Sequence, residues 1–572
     1  MALAGVLIAA VPRLVSLGCR PPARSADTRA ALLAEAVDGQ WRQAAIERRL
    51  VTPAPIPLRW SLSDLAVTGS VADAVGAPES PPAFPPLPQQ TRITEADLHA
   101  GGGRTELHHV YAGLASGRVV VVGAPGAGKS GTAILLLLDA LAHRDRLDDT
   151  ERTRVPVPVL LTVHGWDPNT CSVRDWLGDQ LTASYPLFAH RGGRAEAAAL
   201  VAARDKVALI LDGLDEMDAA LRPAALQALS DAPFRVVVLA RSREMVQAAS
   251  ETWLTGAIAV HLHDVTAPDA ADYLQRARTG PPPAGWTDLL TRLREHPDSV
   301  LARGLSTPLP LTLLRDTYQA AGDDIRELLD PIRYRTTDAL EQHLIARVLP
   351  AAYAPRPGRP PPRYTEQQAR QTLSFIARKM GKNRDLAWWH IPRWAPATPR
   401  VLATGLVFGL VFGVRKDEPQ RVRLANWRTA ISRQALRQAL VFGLMFGLMF
   451  GLGLADALIE RGTAPGLPMG PRQAWRNDRL SAFVNGLVGG LGLVFGLVGS
   501  TIWPTTLAWF QLQLTRQVAA VRLLPFLEDA RERDILRTVG AVYQFRPAIL
   551  QDHLADQATA NSLTSSAVPR PS

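Results

Sequence analysis

The chain has 572 residues, 47% of them apolar and 20% charged, so it is long enough for several cores and too apolar to be disordered throughout. Its formal charge is +10, but no nucleic-acid-binding motif accompanies that charge, so nothing points to a nucleic-acid partner. Two cysteines, Cys19 and Cys171, are too few and too far apart for a disulfide framework or a zinc site.

Residues 1–23 open with an apolar run of about a dozen positions and no basic stretch ahead of it, which leaves open whether they anchor the chain. Residues 24–104 read as an amphipathic helix, an extended stretch and a proline-rich linker, GAPESPPAFPPLPQQ. From 105 to 264 the pattern changes. The β-branched runs RVVVVG, VPVPVLLTV, KVALILDG, FRVVVLA and AIAVHLH alternate with alanine- and leucine-rich helical stretches. Strands apolar on both faces and separated by helices predict an α/β fold, a parallel sheet with helices on both sides. Residues 265–350 read as helical, and a further helix falls within 351–397. Three glycine-laced apolar runs, 401–414, 439–459 and 482–503, lie within the region 398–508. Polar helical sequence resumes over 509–556, and 557–572 reads as a disordered tail.

The first strand leads into Gly123, Ala124, Pro125, Gly126, Ala127, Gly128, Lys129 and Ser130, a complete G-x-x-x-x-G-K-[ST]. A strand before it and a helix after it are the context that the motif needs. The glycines let the backbone turn its N–H groups toward phosphates, and the helix adds its positive end, so the nucleotide-binding stretch runs from Gly123 through Gly131. Lys129 would reach the β- and γ-phosphates. Ser130 and Asp212, which ends the strand VALILD, would hold Mg2+. Asp215 and Glu216 follow where a carboxylate can orient an attacking water, and Arg241 arrives at the same sheet edge to sense the γ-phosphate. Acids after a strand also serve as helix N-caps, but the phosphate loop upstream favours the catalytic reading. The expected cofactors are ATP or GTP with Mg2+.

GAPGAGKS, LILDGLDE and VVVLARSRE together resemble the NACHT class of STAND P-loop NTPases, in the membrane-associated form found in bacteria. The resemblance implies a P-loop domain over 105–264, a helical subdomain over 265–350 and winged-helix-like pieces at 351–397 and 509–556. It also implies that Pro308, in LSTPLPLTLL, stands against the nucleotide base. In VYQFRPAILQDHLA, Phe545, Gln551 and Asp552 match the family's winged-helix motif, but Pro547 stands where the family has a histidine that touches the β-phosphate of ADP. That departure puts an ADP-locked state in doubt.

Glycine at every fourth position, as at 443, 447 and 451, costs a helix roughly 1 kcal/mol per site against alanine. It gains close backbone approach in lipid. A soluble core would also be apolar, but the runs at 439–459 and 482–503 are each long enough to cross a bilayer. The expectation is a transmembrane hairpin, with 401–414 interfacial, and a multi-pass membrane protein whose NTPase domain faces the cytoplasm. The expected function is a signalling NTPase that binds and slowly hydrolyses ATP to switch conformation or assembly. By resemblance its setting is bacterial defence or stress signalling, with a homo-oligomer on activation and a trigger ligand or protein that no residue identifies. The alternatives are a nucleotide-binding membrane scaffold without turnover and a transport-type ATPase.

Overall fold

The computed structural model describes residues 25–395, 471–472, 475–476 and 502–566, apart from breaks at 53–54, 78, 164, 189, 191, 279, 320–321, 356–359, 521 and 540–541. Two units divide these residues. The first comprises the chain up to Ala45, Leu58–Pro125 and Lys129–His263. The second comprises Ile46–Pro57, Gly126–Gly128 and the chain from Asp264 onward.

In the first unit β1 (Trp60–Leu62), β2 (Arg118–Gly123), β3 (Val157–Thr162), β4 (Val207–Asp212), β5 (Val236–Arg241) and β6 (Ile258–Leu262) form one six-stranded sheet in the order β1-β6-β2-β5-β4-β3. Successive residues of a strand face opposite sides, so the unbroken burial of Val207–Leu211 and Val236–Ala240 means that both faces are covered. Strands β2 to β6 run parallel to their neighbours, whereas β1 is antiparallel to β6, pairing Trp60 with Leu262. The sheet is therefore mixed, where an all-parallel sheet was expected. Trp60, Ser61 and Leu62 are too short a run to announce a strand; Trp60 is fixed by a buried indole whose Nε1 donates to Gly103 O at 2.8 Å. At the opposite margin, Val157 N donates to Lys206 O at 2.9 Å, so Pro158, next along β3, turns its nitrogen away from β4.

The proline-rich linker is packed rather than free. Phe84 and Leu87 are buried, and Phe84 lies under the guanidinium of Arg235, 5.5 Å from its ring centre. Arg235 is itself buried and donates to Pro85 O, Tyr111 O and Leu114 O, holding the segment to the end of helix α1 (Arg104–Gly113). Helix α2 (Lys129–Arg146) starts at the motif lysine, and α3 (Arg222–Ser230) follows the acids after β4.

The second unit is helical around one apolar core. It contains α4 (Pro308–Thr317), α5 (Glu366–Met380), α6 (Ile502–Leu514) and α7 (Leu523–Glu532), then the hairpin β7 (Leu536–Val539) and β8 (Val542–Phe545), then α8 (Ala548–Ser566). Leu386 and Tyr543 exchange two backbone hydrogen bonds, adding a third edge to the hairpin. Gln551 is buried and donates to Gly381 O and Asn383 O, both at 2.9 Å, while Asp552 pairs with Arg384 at 2.8 Å. The motif residues near the C-terminus thus tie α8 to the turn that follows α5. Helix α8 continues through Ser566, where a disordered tail was expected from 557.

Among the described residues no helix is long and apolar enough to cross a membrane. The transmembrane part of the expected fold and the multi-pass membrane location are corrected on that finding. Helix α6, which begins at the end of the third run, has 13 residues and so spans only about 20 Å. It buries Thr505, Ala508, Trp509 and Leu512 in protein. The runs 401–414 and 439–459, the rest of 482–503, and residues 1–23 lie outside the described residues.

Candidate functional site

The sheet order reverses direction beside β2. From β2 the chain passes through α2 to the far margin at β3 and returns through β4 and β5, and then β6 lies on the other side of β2. Such a reversal opens a crevice beyond the carboxyl ends of the strands, where ligands of open α/β sheets bind. Three residues singled out from the sequence end strands at that crevice. Gly123 ends β2 in register with Arg241, which ends β5, and Asp212 ends β4 beside Leu239. Strand β5 separates β2 from β4, so Gly123 and Asp212 are offset laterally by about 10 Å.

The loop after β2 curls because Gly126 and Gly128 adopt φ of +80° and +88°, which side-chain-bearing residues rarely reach. Lys129 folds into the curl, and its Nζ donates to Gly123 O at 2.9 Å and Ala124 O at 3.0 Å. Burial pushes the Lys129 ammonium below its ordinary value; Asp215 and Asp212 act against that and Arg241 with it. Ala124, Pro125 and Ser130 are exposed, Ala127 is buried and Gly131 is half-buried. Gly126–Gly128 group with the second unit, where a Cβ on Gly128 would lie 3.0 Å from Pro308 Cγ and one on Gly126 would lie 3.5 Å from Leu309 Cβ. Pro308, at the start of α4, therefore stands against the loop tip.

The acids after β4 occupy a tight turn. Gly213 takes φ +83°, and the following Leu214–Glu216 forms one turn of 3-10 helix closed by Glu216 N donating to Gly213 O at 2.8 Å. Asp215 turns toward β5, where its carboxylate meets Arg241 Nε at 2.8 Å and accepts from the Arg241 amide at 3.3 Å. Its side chain is 9% exposed. Asp215 is expected to face water and Arg241 phosphate; in this structure the two hold each other. Glu216 instead lines a cleft of about 300 Å³ with Val163, Trp166, Asp167, Met217 and Leu221.

Among the described residues no group of three or more His, Cys, Asp or Glu could hold a metal by itself. Ser130 and Asp212 offer two oxygen ligands, which suits a cation that takes its remaining ligands from phosphates and water. Sequence reasoning missed Arg222, which reaches the acid turn from α3 and whose neighbours in the sequence give no sign of that role. No family of known proteins matches this chain and no curated protein matches it, so the reading of the site rests on its residues and their geometry.

Proposed function

We propose that the chain is a NACHT-type P-loop nucleoside triphosphatase that binds ATP or GTP with Mg2+ and hydrolyses it slowly to switch conformation or assembly. The observation that carries this reading is the loop curled around the Lys129 ammonium beside strand ends bearing Asp212 and Arg241. Backbone amides of Gly126–Lys129 and the start of α2 cradle phosphate oxygens. Lys129 exchanges the carbonyls of Gly123 and Ala124 for phosphate. Ser130 and Asp212 hold the cation, which supplies charge neutralisation on the phosphates. Glu216 orients the attacking water, and Arg241 turns from Asp215 toward the γ-phosphate.

The pairing of Asp215 with Arg241 at 2.8 Å also favours a second reading, in which nucleotide is held with negligible turnover. Retention and turnover of radiolabelled ATP and GTP by the full chain, with and without Mg2+, separate the two. A charge-assisted contact contributes about 1.5–3 kcal/mol, so Lys129→Ala is expected to weaken retention by about 10- to 100-fold. Equal retention by the variant and the parent chain removes the assignment.

A further inference from the structure

Arg222 is 9% exposed, and among the described residues it pairs with no carboxylate. A buried guanidinium without a counter-ion costs free energy unless its donors are used. Here they are used on the backbone of the acid turn: Nε donates to Met217 O at 3.1 Å and Nη2 to Asp215 O at 2.9 Å. Those carbonyls belong to the residues on either side of Glu216. The other end of the turn is closed by Glu216 N on Gly213 O, and the Asp215 carboxylate is held by Arg241. The backbone that presents Glu216 is thus fixed from α3, from β5 and by its own hydrogen bond.

We infer that Arg222 is a positioning residue for Glu216: it clamps the carbonyls flanking that acid and so sets where its carboxylate stands at the reacting end of the nucleotide. Asp215 then holds Arg241 until nucleotide draws it away, and Glu216 is the acid that orients water. The inference rests on the hydrolytic reading above and adds how the site is aligned. A displacement of about 1 Å at a reacting group costs about 100-fold in rate, whereas nucleotide held by the loop of Gly123–Ser130 does not depend on this turn.

The test uses the full chain with Arg222→Gln, Arg222→Lys, Glu216→Gln and the double variant Arg222→Gln/Glu216→Gln. Arg222→Gln should lower kcat by about 10- to 100-fold with KM within about twofold, because it moves the acid and not the phosphate cradle. Arg222→Lys, which keeps the charge and one donor, should recover part of that loss. The double variant should be within about twofold of Glu216→Gln alone, because Arg222 acts through Glu216. Amide hydrogen exchange at Glu216 and Met217 should quicken in Arg222→Gln. Losses that multiply in the double variant, a rise in KM in place of a fall in kcat, or unchanged exchange at both amides would each overturn the proposal. A parent chain that turns over no nucleotide overturns the hydrolytic reading, while the exchange measurement still supports or removes the clamp itself.

Discussion

At Gly128 backbone geometry and neighbouring packing make the same demand. At φ +88° a side chain costs about 1–2 kcal/mol, and the added Cβ would also stand 3.0 Å from Pro308 Cγ. Gly128→Ala is expected to weaken nucleotide retention by about tenfold or more. Combining it with Pro308→Ala should restore only part, because the second change relieves the contact and not the backbone. Full recovery in the double variant, measured by the same retention assay, would assign the whole cost to the proline. Arg243, two positions beyond Arg241, is exposed.

At the scale of elements, α1 and α2 bring His108 and His143 to 5.5 Å between ring centres. Burial, then the charge of His143, with smaller contributions from Arg146 and His109 and opposition from Asp139, pushes His108 down to about 4. The unfolded chain then takes up a proton near 6.5 that the folded chain refuses until about 4, so stability falls as pH drops through that window and stops falling below it. Between pH 7 and pH 5 the loss is about 2 kcal/mol, and His108→Gln should remove most of it. Denaturant midpoints at the two pH values check this, and equal slopes for both proteins would refute it.

What was legible in the sequence follows from the same elements. A strand covered on both faces is a near-continuous apolar run, so RVVVV, VALIL and VVVLA could be read directly, as could the loop whose glycines and lysine lie side by side in the chain. Trp60–Leu62 could not, because its strand character comes from pairing with Val260–Leu262 some 200 residues away. The partnership of Asp215 with Arg241 and the reach of Arg222 to two carbonyls are likewise set by tertiary placement, which composition does not carry. Proline-rich sequence reads as a linker because it avoids regular structure; the buried Arg235 that holds Pro85 lies 150 residues further on.

At the largest scale, the second unit draws distant parts of the chain onto one charged cluster. Asp316, at the end of α4, accepts from Arg315 at 2.8 Å and from Arg49 at 2.9 Å, and Arg49 also reaches Asp534 at 3.5 Å. Arg546, after β8, pairs with Asp534 at 3.4 Å and donates to Glu47 O. Burial disfavours the charge on Asp316, but hydrogen bonds and charge from Arg315, then Arg49 and Arg546, hold its carboxyl below the usual range. Its folded-state value being depressed, the stabilisation is present at neutral pH and fades as pH falls below the ordinary carboxylate range. Asp316→Asn leaves Arg315, 5% exposed, without its counter-ion and should cost about 2 kcal/mol at pH 7. An unchanged melting temperature for the second unit would show that the cluster is incidental to its stability.

The two margins of the sheet bear on how the chain behaves in company. An outermost strand exposes a ladder of unused donors and acceptors that another polypeptide can zip onto, seeding aggregates. One border here is only three residues long, and the other has its second position, Pro158, without a hydrogen to give on the outward side. Both borders therefore offer a foreign strand a poorer template than a long, unbroken edge would.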